Sequence, residues 1–167
     1  MSQFTFLNNK TVLVTGVSSS DQRFKNIGQA LVELLVENDA QVIAVSRDIK
    51  KCEKAVKHLT KQGLSIVAKQ CDISNHSDVE SLFKWVEETY GSLNYLINNA
   101  GTEGVLEPID QLSLDNIDSV IDINGKGTLY CLKEGISLMK RALYQDSKMD
   151  CSIINVGSIA AEIGMPN

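Results

Sequence analysis

Apolar positions along the chain fall into short runs separated by stretches of helical period. Val12 to Val14 is an apolar run and predicts a first strand. Residues 28–38, GQALVELLVEN, place Ala30, Leu31, Leu34 and Leu35 on one face of a helix. Residues 41–45 (QVIAV) predict a second strand. A helix over 50–62, polar on its outer face and ended by Gly63, leads to a third strand over 64–68. Ser74 is placed to cap a helix whose inner face is Val79, Leu82, Phe83 and Val86, with Gly91 closing it. Residues 93–97 predict a fourth strand and 152–156 (SIINV) a fifth. Between them runs one long helical pattern over 114–144, in which Gly125, Gly127 and Gly135 lower the propensity.

Strand and helix thus alternate, and the strands are apolar almost throughout. Such strands are buried on both faces, the mark of a parallel sheet covered by helices. The expected fold is α/β: a doubly wound parallel sheet in the order 3-2-1-4-5, in a single domain over residues 1–167. No linker, repeat or low-complexity segment divides the chain.

Composition changes this picture little. Hydrophobic residues are 43% and charged residues 22%, ordinary for a globular domain. The net charge of −5 argues against nonspecific binding to nucleic acid or to an anionic membrane, while leaving room for a local basic pocket. No apolar run reaches the roughly 18 residues that span a bilayer, and MSQFTFLNNK lacks the pattern of a secretion signal. Cys52, Cys71, Cys131 and Cys151 are scattered without ligand spacing. They are expected to be reduced thiols of a cytoplasmic protein, with no metal site.

The candidate chemistry begins at residues 15–30, TGVSSSDQRFKNIGQA. Thr15-Gly16 follow the first strand, and Ile27-Gly28 open the first helix. In a doubly wound sheet this turn meets a cofactor pyrophosphate, and glycine lets the backbone approach closely. Two isolated glycines also suit an ordinary surface turn, so the stretch alone leaves both readings open. A P-loop is excluded, because no GK[ST] follows Gly16 at the required spacing.

Taken with later motifs, the chain resembles the short-chain dehydrogenase/reductase family over residues 10–167. The loop looks like that family's TGxxxGxG, with Asn26 at the middle glycine and Ser20 to Lys25 inserted before it. Asp72, in QCDIS, looks like the aspartate that meets adenine. Asn98-Asn99-Ala100-Gly101 looks like the NNAG motif. Asn124, in DINGKG, looks like the catalytic asparagine, and Ser158, in INVGSIA, like the catalytic serine with Gly157 in place of the preceding serine. The resemblance implies a Rossmann-like fold and a cofactor site made of Gly16, Ser18, Asn26, Ile27, Gly28, Ser46, Arg47, Asp72, Ile73, Asn99, Ala100 and Gly101. Each residue also has a plain alternative. Asp72 can support a turn, Asn98 and Asn99 can form one, Asn124 can kink a helix, and Ser158 can cap one.

An NAD-binding sheet usually carries a carboxylate at the end of its second strand. Here Ser46 and Arg47 stand there, a pair suited to a 2′-phosphate. Arg23 and Lys25 could add charge, whereas Asp48 could serve a ribose after a small shift of the turn. NADP(H) is favoured and NAD(H) remains possible. The family's proton donor is a tyrosine with a lysine four residues on, which the resemblance places just beyond Asn167. The chain is therefore expected to lack that pair and to be the front part of a longer reductase, with GMPN leading toward the tyrosine. The expected partners are a small carbonyl or alcohol substrate and further copies of the chain. The alternative is a noncatalytic nucleotide-binding or interaction protein that retains the fold.

Overall fold

Alternate residues of the central strands feed two separate apolar layers, and this division organises the molecule. The computed structural model describes residues 4–19 and 25–162. Strands β1 (Thr11–Thr15), β2 (Gln41–Ser46), β3 (Ile66–Gln70), β4 (Tyr95–Asn98) and β5 (Ser152–Asn155) form one sheet in the order β3-β2-β1-β4-β5. Every pairing is parallel. Val12, Val14, Val42 and Ala44 point to the layer covered by α1 (Ile27–Glu37) and α2 (Ile49–Lys61). Leu13, Ile43, Val45 and Leu96 point to the layer covered by α3 (His76–Tyr90) and α5 (Thr128–Gln145). Each strand of β1 and β2 is thus sealed on both faces, which is why its sequence is apolar without alternation. The expected fold class and strand order are found.

Several local expectations shift. Helix α1 buries Gly28, Val32, Leu35 and Val36, with Leu31 packed at the edge, whereas Ala30 and Leu34 are exposed. The seam is rotated because Gly28 must face the turn after β1, which fixes the helix about its axis. The cap of α3 is Asn75, whose side chain accepts the Ser77 N–H; Ser74 gives both its N–H and its hydroxyl to Asp72 Oδ1. Strand β3 begins at Ile66, because Gly63, with φ 76°, and the Leu64 N–H bonded to Leu59 O are spent ending α2. The long helical pattern is continuous, but in three parts. Helix α4 (Leu114–Val120) runs into a π-helical segment (Ile121–Gly127) and then into α5. Wide π turns are uncommon and recur at functional sites. This one lies where the glycines lowered the helical propensity.

The two ends of the sheet are closed by different side chains. At the N-terminal ends of the strands, Asn94 Oδ1 accepts the Thr11 N–H at 3.0 Å and Asn94 Nδ2 donates to Asp150 O at 3.0 Å. At the C-terminal ends, Thr15 Oγ1 accepts the N–H groups of Asn99 and Ala100, both at 3.0 Å. Asn99 Nδ2 returns a bond to Thr15 O at 2.9 Å. Helices α3 and α5 are clamped by Arg141, whose Nε and Nη2 donate to the two carboxylate oxygens of Glu87 at 2.8 Å each. Among the described residues, no helix is long and apolar enough to cross a membrane.

Two outcomes are expected. Thr15→Val keeps the shape but leaves two N–H groups without their acceptor, and should cost about 1–3 kcal/mol in urea denaturation; a change below about 0.5 kcal/mol would show the bonds to be dispensable. The Arg141 guanidinium holds the Glu87 carboxyl below its ordinary range. A lowered folded-state pKa stabilises above the unfolded value and is lost as pH falls through the folded one. The pair is about half exposed, so Glu87→Gln should cost only about 0.5 kcal/mol at neutral pH. That cost should vanish in acid, and an equal cost at both pH values would contradict the ion pair.

Candidate functional site

In a parallel sheet all C-terminal strand ends lie on one side, and ligands collect where the strand order reverses. Here the chain leaves β1 toward β2 and β3 on one flank and reaches β4 and β5 on the other. A cleft of about 800 Å³ opens at that point. All twelve residues expected at a cofactor line it, from Gly16 and Ser18 to Ala100 and Gly101.

Its floor is made by backbones in unusually close approach. Gly16 has φ 75°, and a Cβ there would stand 2.7 Å from Ala100 Cα. A Cβ on Gly28 would stand 2.7 Å from Gly16 O and 2.9 Å from Asn99 Nδ2. Both glycines are therefore required by contact with the segment after β4. Asn26, in the place of the family's middle glycine, is the N-cap of α1. Its Oδ1 accepts the Gln29 N–H at 2.8 Å, and the Gln29 side chain accepts the Asn26 N–H at 3.2 Å. Asn26 Nδ2 also holds Ser18 O at 2.6 Å. An asparagine can fill this place because it ties the loop to the helix by side-chain bonds. The first-turn N–H groups of Ile27 and Gly28 lack intrahelical acceptors and carry the positive end of the helix dipole. Residues 20–24 of the inserted loop, including Arg23, lie outside the described residues, as do the closing residues 163–167.

On the flank after β2, Ser46, Arg47, Asp48 and Lys51 line the cleft. Asp48 caps α2, its Oδ1 accepting the Lys51 N–H at 3.1 Å. Arg47 is exposed, and its guanidinium pairs with no carboxylate among the described residues. Lys51 belongs to the first turn of α2 and Arg47 directly precedes its cap Asp48, and no motif in the sequence marks Lys51. Lys25 also lines the cleft, but its Nζ is 2.5 Å from Glu33 Oε2, whose other oxygen lies 2.8 Å from His58 Nε2.

After β3, Asp72 and Ile73 line the cleft. Asp72 also supports the turn, as its plain alternative allows, accepting both bonds from Ser74. Cys71 is buried there, and burial pushes its thiol up to about 12, so it is not a nucleophile. Asn124 sits in the π-helical segment and is not among the cleft-lining residues. Its amide binds the Thr102 backbone both ways, accepting the N–H and donating to the carbonyl, each at 2.8 Å. Ser158 is exposed and caps a short turn, accepting the Ala160 N–H at 3.2 Å. Thr102, Glu103, Ser119 and Ile123 join the lining without any signal in the sequence.

One expectation needs correcting. A tyrosine and a lysine four apart do occur in this chain, Tyr144 and Lys148 in YQDSK. They precede Ser158 instead of following it. Tyr144 is almost fully exposed near the end of α5, and Lys148 lines a second hollow with Lys10 and Asn94 at the N-terminal strand ends. They stand at the end of the sheet opposite the cleft. Away from the cleft, ligand atoms of His76, Glu80 and Glu134 approach within 4.8 Å of one another, and Lys133 Nζ joins Glu134 Oε1 at 2.6 Å.

The comparisons agree with this geometry. Residues 10–167 match the family model described as short chain dehydrogenase. A 3beta-hydroxysteroid dehydrogenase of Mediterraneibacter gnavus is 31% identical over 96% of this chain and 53% of its own length. An uncharacterized oxidoreductase of Staphylococcus aureus strain MW2 is 33% identical over 93% of this chain and 61% of its own. Among solved structures, a short chain dehydrogenase from Mycobacterium smegmatis superposes with TM-score 0.83 at 20% identity, covering 99% of this chain and 65% of the other. A metagenomic short-chain oxidoreductase in complex with NADP does so with TM-score 0.80 at 23% identity, covering 95% and 66%. The chain spans little more than half the length of these curated relatives. With its glycine-floored cleft at the switch point of a 3-2-1-4-5 sheet, this chain belongs to the short-chain dehydrogenase family of oxidoreductases.

Proposed function

We propose that the chain forms the cofactor-binding part of an NADP(H)-dependent oxidoreductase that moves hydride between nicotinamide and a carbonyl or alcohol substrate. The observation that carries this reading is the floor of the cleft. Side chains are excluded where Gly16, Gly28 and Ala100 meet, and the positive end of α1 lies beside them. That is a fit for a pyrophosphate. The nicotinamide, when bound, supplies or accepts the hydride. The residues of this chain bind and orient: Ile27 and Gly28 through backbone N–H groups, and Asn99 through the turn it holds.

The choice of NADP(H) over NAD(H) is supported by charge. Ser46, Arg47 and Lys51 gather at the end of β2, whereas Asp48, the nearest carboxylate in sequence, is engaged in capping α2. A hydrogen bond to a charged group contributes about 1.5–3 kcal/mol, equivalent to about tenfold or more in affinity. The metagenomic oxidoreductase holds NADP, in keeping with this choice, and the Mediterraneibacter relative is named for a hydroxysteroid, in keeping with an alcohol or carbonyl substrate. A second reading, binding without catalysis by this chain, is supported by Tyr144 and Lys148 standing at the far end of the sheet.

Two measurements test the proposal. Arg47→Ala should weaken NADPH about tenfold and leave NADH within about twofold by calorimetry; an unchanged ratio would make Arg47 a surface residue only. Turnover of NADPH by the chain with simple ketones should be negligible, since Tyr144 and Lys148 lie away from the cleft and loss of a general acid costs about 10²–10⁴-fold. Tyr144→Phe should change nothing. A normal enzymatic rate abolished by Tyr144→Phe would overturn the assignment of roles.

A further inference from the structure

We infer that Gly127 is a positioning residue whose missing side chain sets how far Ile73 stands into the cleft. The inference rests on the dinucleotide reading above and concerns the flank of Asp72 and Ile73, where Asp72 resembles the family's adenine-contacting aspartate. Gly127 ends the π-helical segment with φ −59° and ψ −44°, ordinary helical values that any residue adopts. Backbone conformation therefore does not require glycine here; space does. A Cβ at this position would lie 2.8 Å from Ile73 Cγ1, 2.9 Å from Ile73 Cδ1 and 3.1 Å from Ile73 O. All three atoms belong to one residue, and one of them is backbone. The clash cannot be relieved by turning only the far end of the side chain.

Ile73 has little freedom to yield elsewhere. It is β-branched and stiff at χ1. It belongs to the apolar layer of Cys71, Val79, Phe83 and Cys131, which is close-packed. It also lines the cleft. A residue pressed from behind by the π-helical segment, and hemmed in by the core, moves toward the open space. The helix keeps a poor helix former at Gly127, and clearance behind Ile73 accounts for it. Gly125 is a natural control: it lies in the same segment, and nothing stands within 4 Å of a Cβ built on it. Asn124, directly before Gly125, fixes the backbone of Thr102, which also lines the cleft. One wide turn thereby sets both the Ile73 wall and the Thr102 wall.

The test compares Gly127→Ala, Gly125→Ala and the double variant Gly127→Ala with Ile73→Val in the same chain. The probe ligands are 2′,5′-ADP and NADPH, titrated by calorimetry, and the Ile73 methyl is followed by NMR. Gly127→Ala should weaken 2′,5′-ADP about tenfold, as overpacking of this size implies. Gly125→Ala should stay within about twofold, and the double variant should recover most of the loss. The Ile73 Cδ1 resonance should move in Gly127→Ala and not in Gly125→Ala. Parent-like binding by a folded Gly127→Ala overturns the inference, as does a loss that Ile73→Val does not relieve. If Gly127→Ala fails to fold, the double variant must fold and bind, and its failure also overturns the inference. If the parent binds neither 2′,5′-ADP, NADPH nor NADH while the methyl still moves, the dinucleotide reading is what fails, and the role proposed for Gly127 falls with it.

Discussion

A single hydroxyl oxygen, Thr15 Oγ1, receives the N–H groups of Asn99 and Ala100. The cleft depends on that junction. It stops β1 and β4 at the same level and turns the two following segments apart. It also presses the Ala100 backbone onto Gly16 and, through Asn99, onto the start of α1. Glycine at 16 and 28 follows from this compression. The helix end reaches the centre of the sheet because no Cβ stands between it and the strands. A cofactor-sized space then opens above a floor made of backbone, where a phosphate can approach N–H groups directly.

The sequence made the scaffold plain because strand burial on two faces writes an apolar run, and helix burial on one face writes a 3.6-residue period. What it concealed was rotation. Nothing in GQALVELLVEN favours Val32 and Val36 over Ala30 and Leu34, since both sets lie at helical spacing. The packing of Gly28 against Gly16 decides it, and that is a tertiary contact. The cap of α3 was missed for a similar reason. Ser74 and Asn75 are both good caps, and only the claim of Asp72 on Ser74 leaves the role to Asn75.

The candidate site was legible where glycine or a strand end marks it, as at Gly16, Asn99 and Asp72. Lys51, Thr102 and Ser119 reach the cleft from helix turns and a loop whose sequence carries no such mark. The lesson of YQDSK runs the other way. A tyrosine and lysine at catalytic spacing can satisfy a pattern while the topology carries them to the wrong end of the sheet. A return helix in a parallel sheet always delivers its C-terminus to the strands' N-terminal side, and that rule outranks the spacing.

The wide turn at Ile121–Gly127 also governs which changes of length this chain can absorb. An α-helix advances about 100° per residue, so one residue inserted at the start of α5 would rotate the rest of that helix against the sheet. Cys131, Leu138 and Met139 would swing off the sheet, and polar neighbours would face the core. Single-residue insertions in the regular turns of α5 are therefore barred, whereas the wide turn is the form in which a helix holds one extra residue without turning its two ends. Changes of length in the long helix are thus confined to the wide turn and excluded from α5.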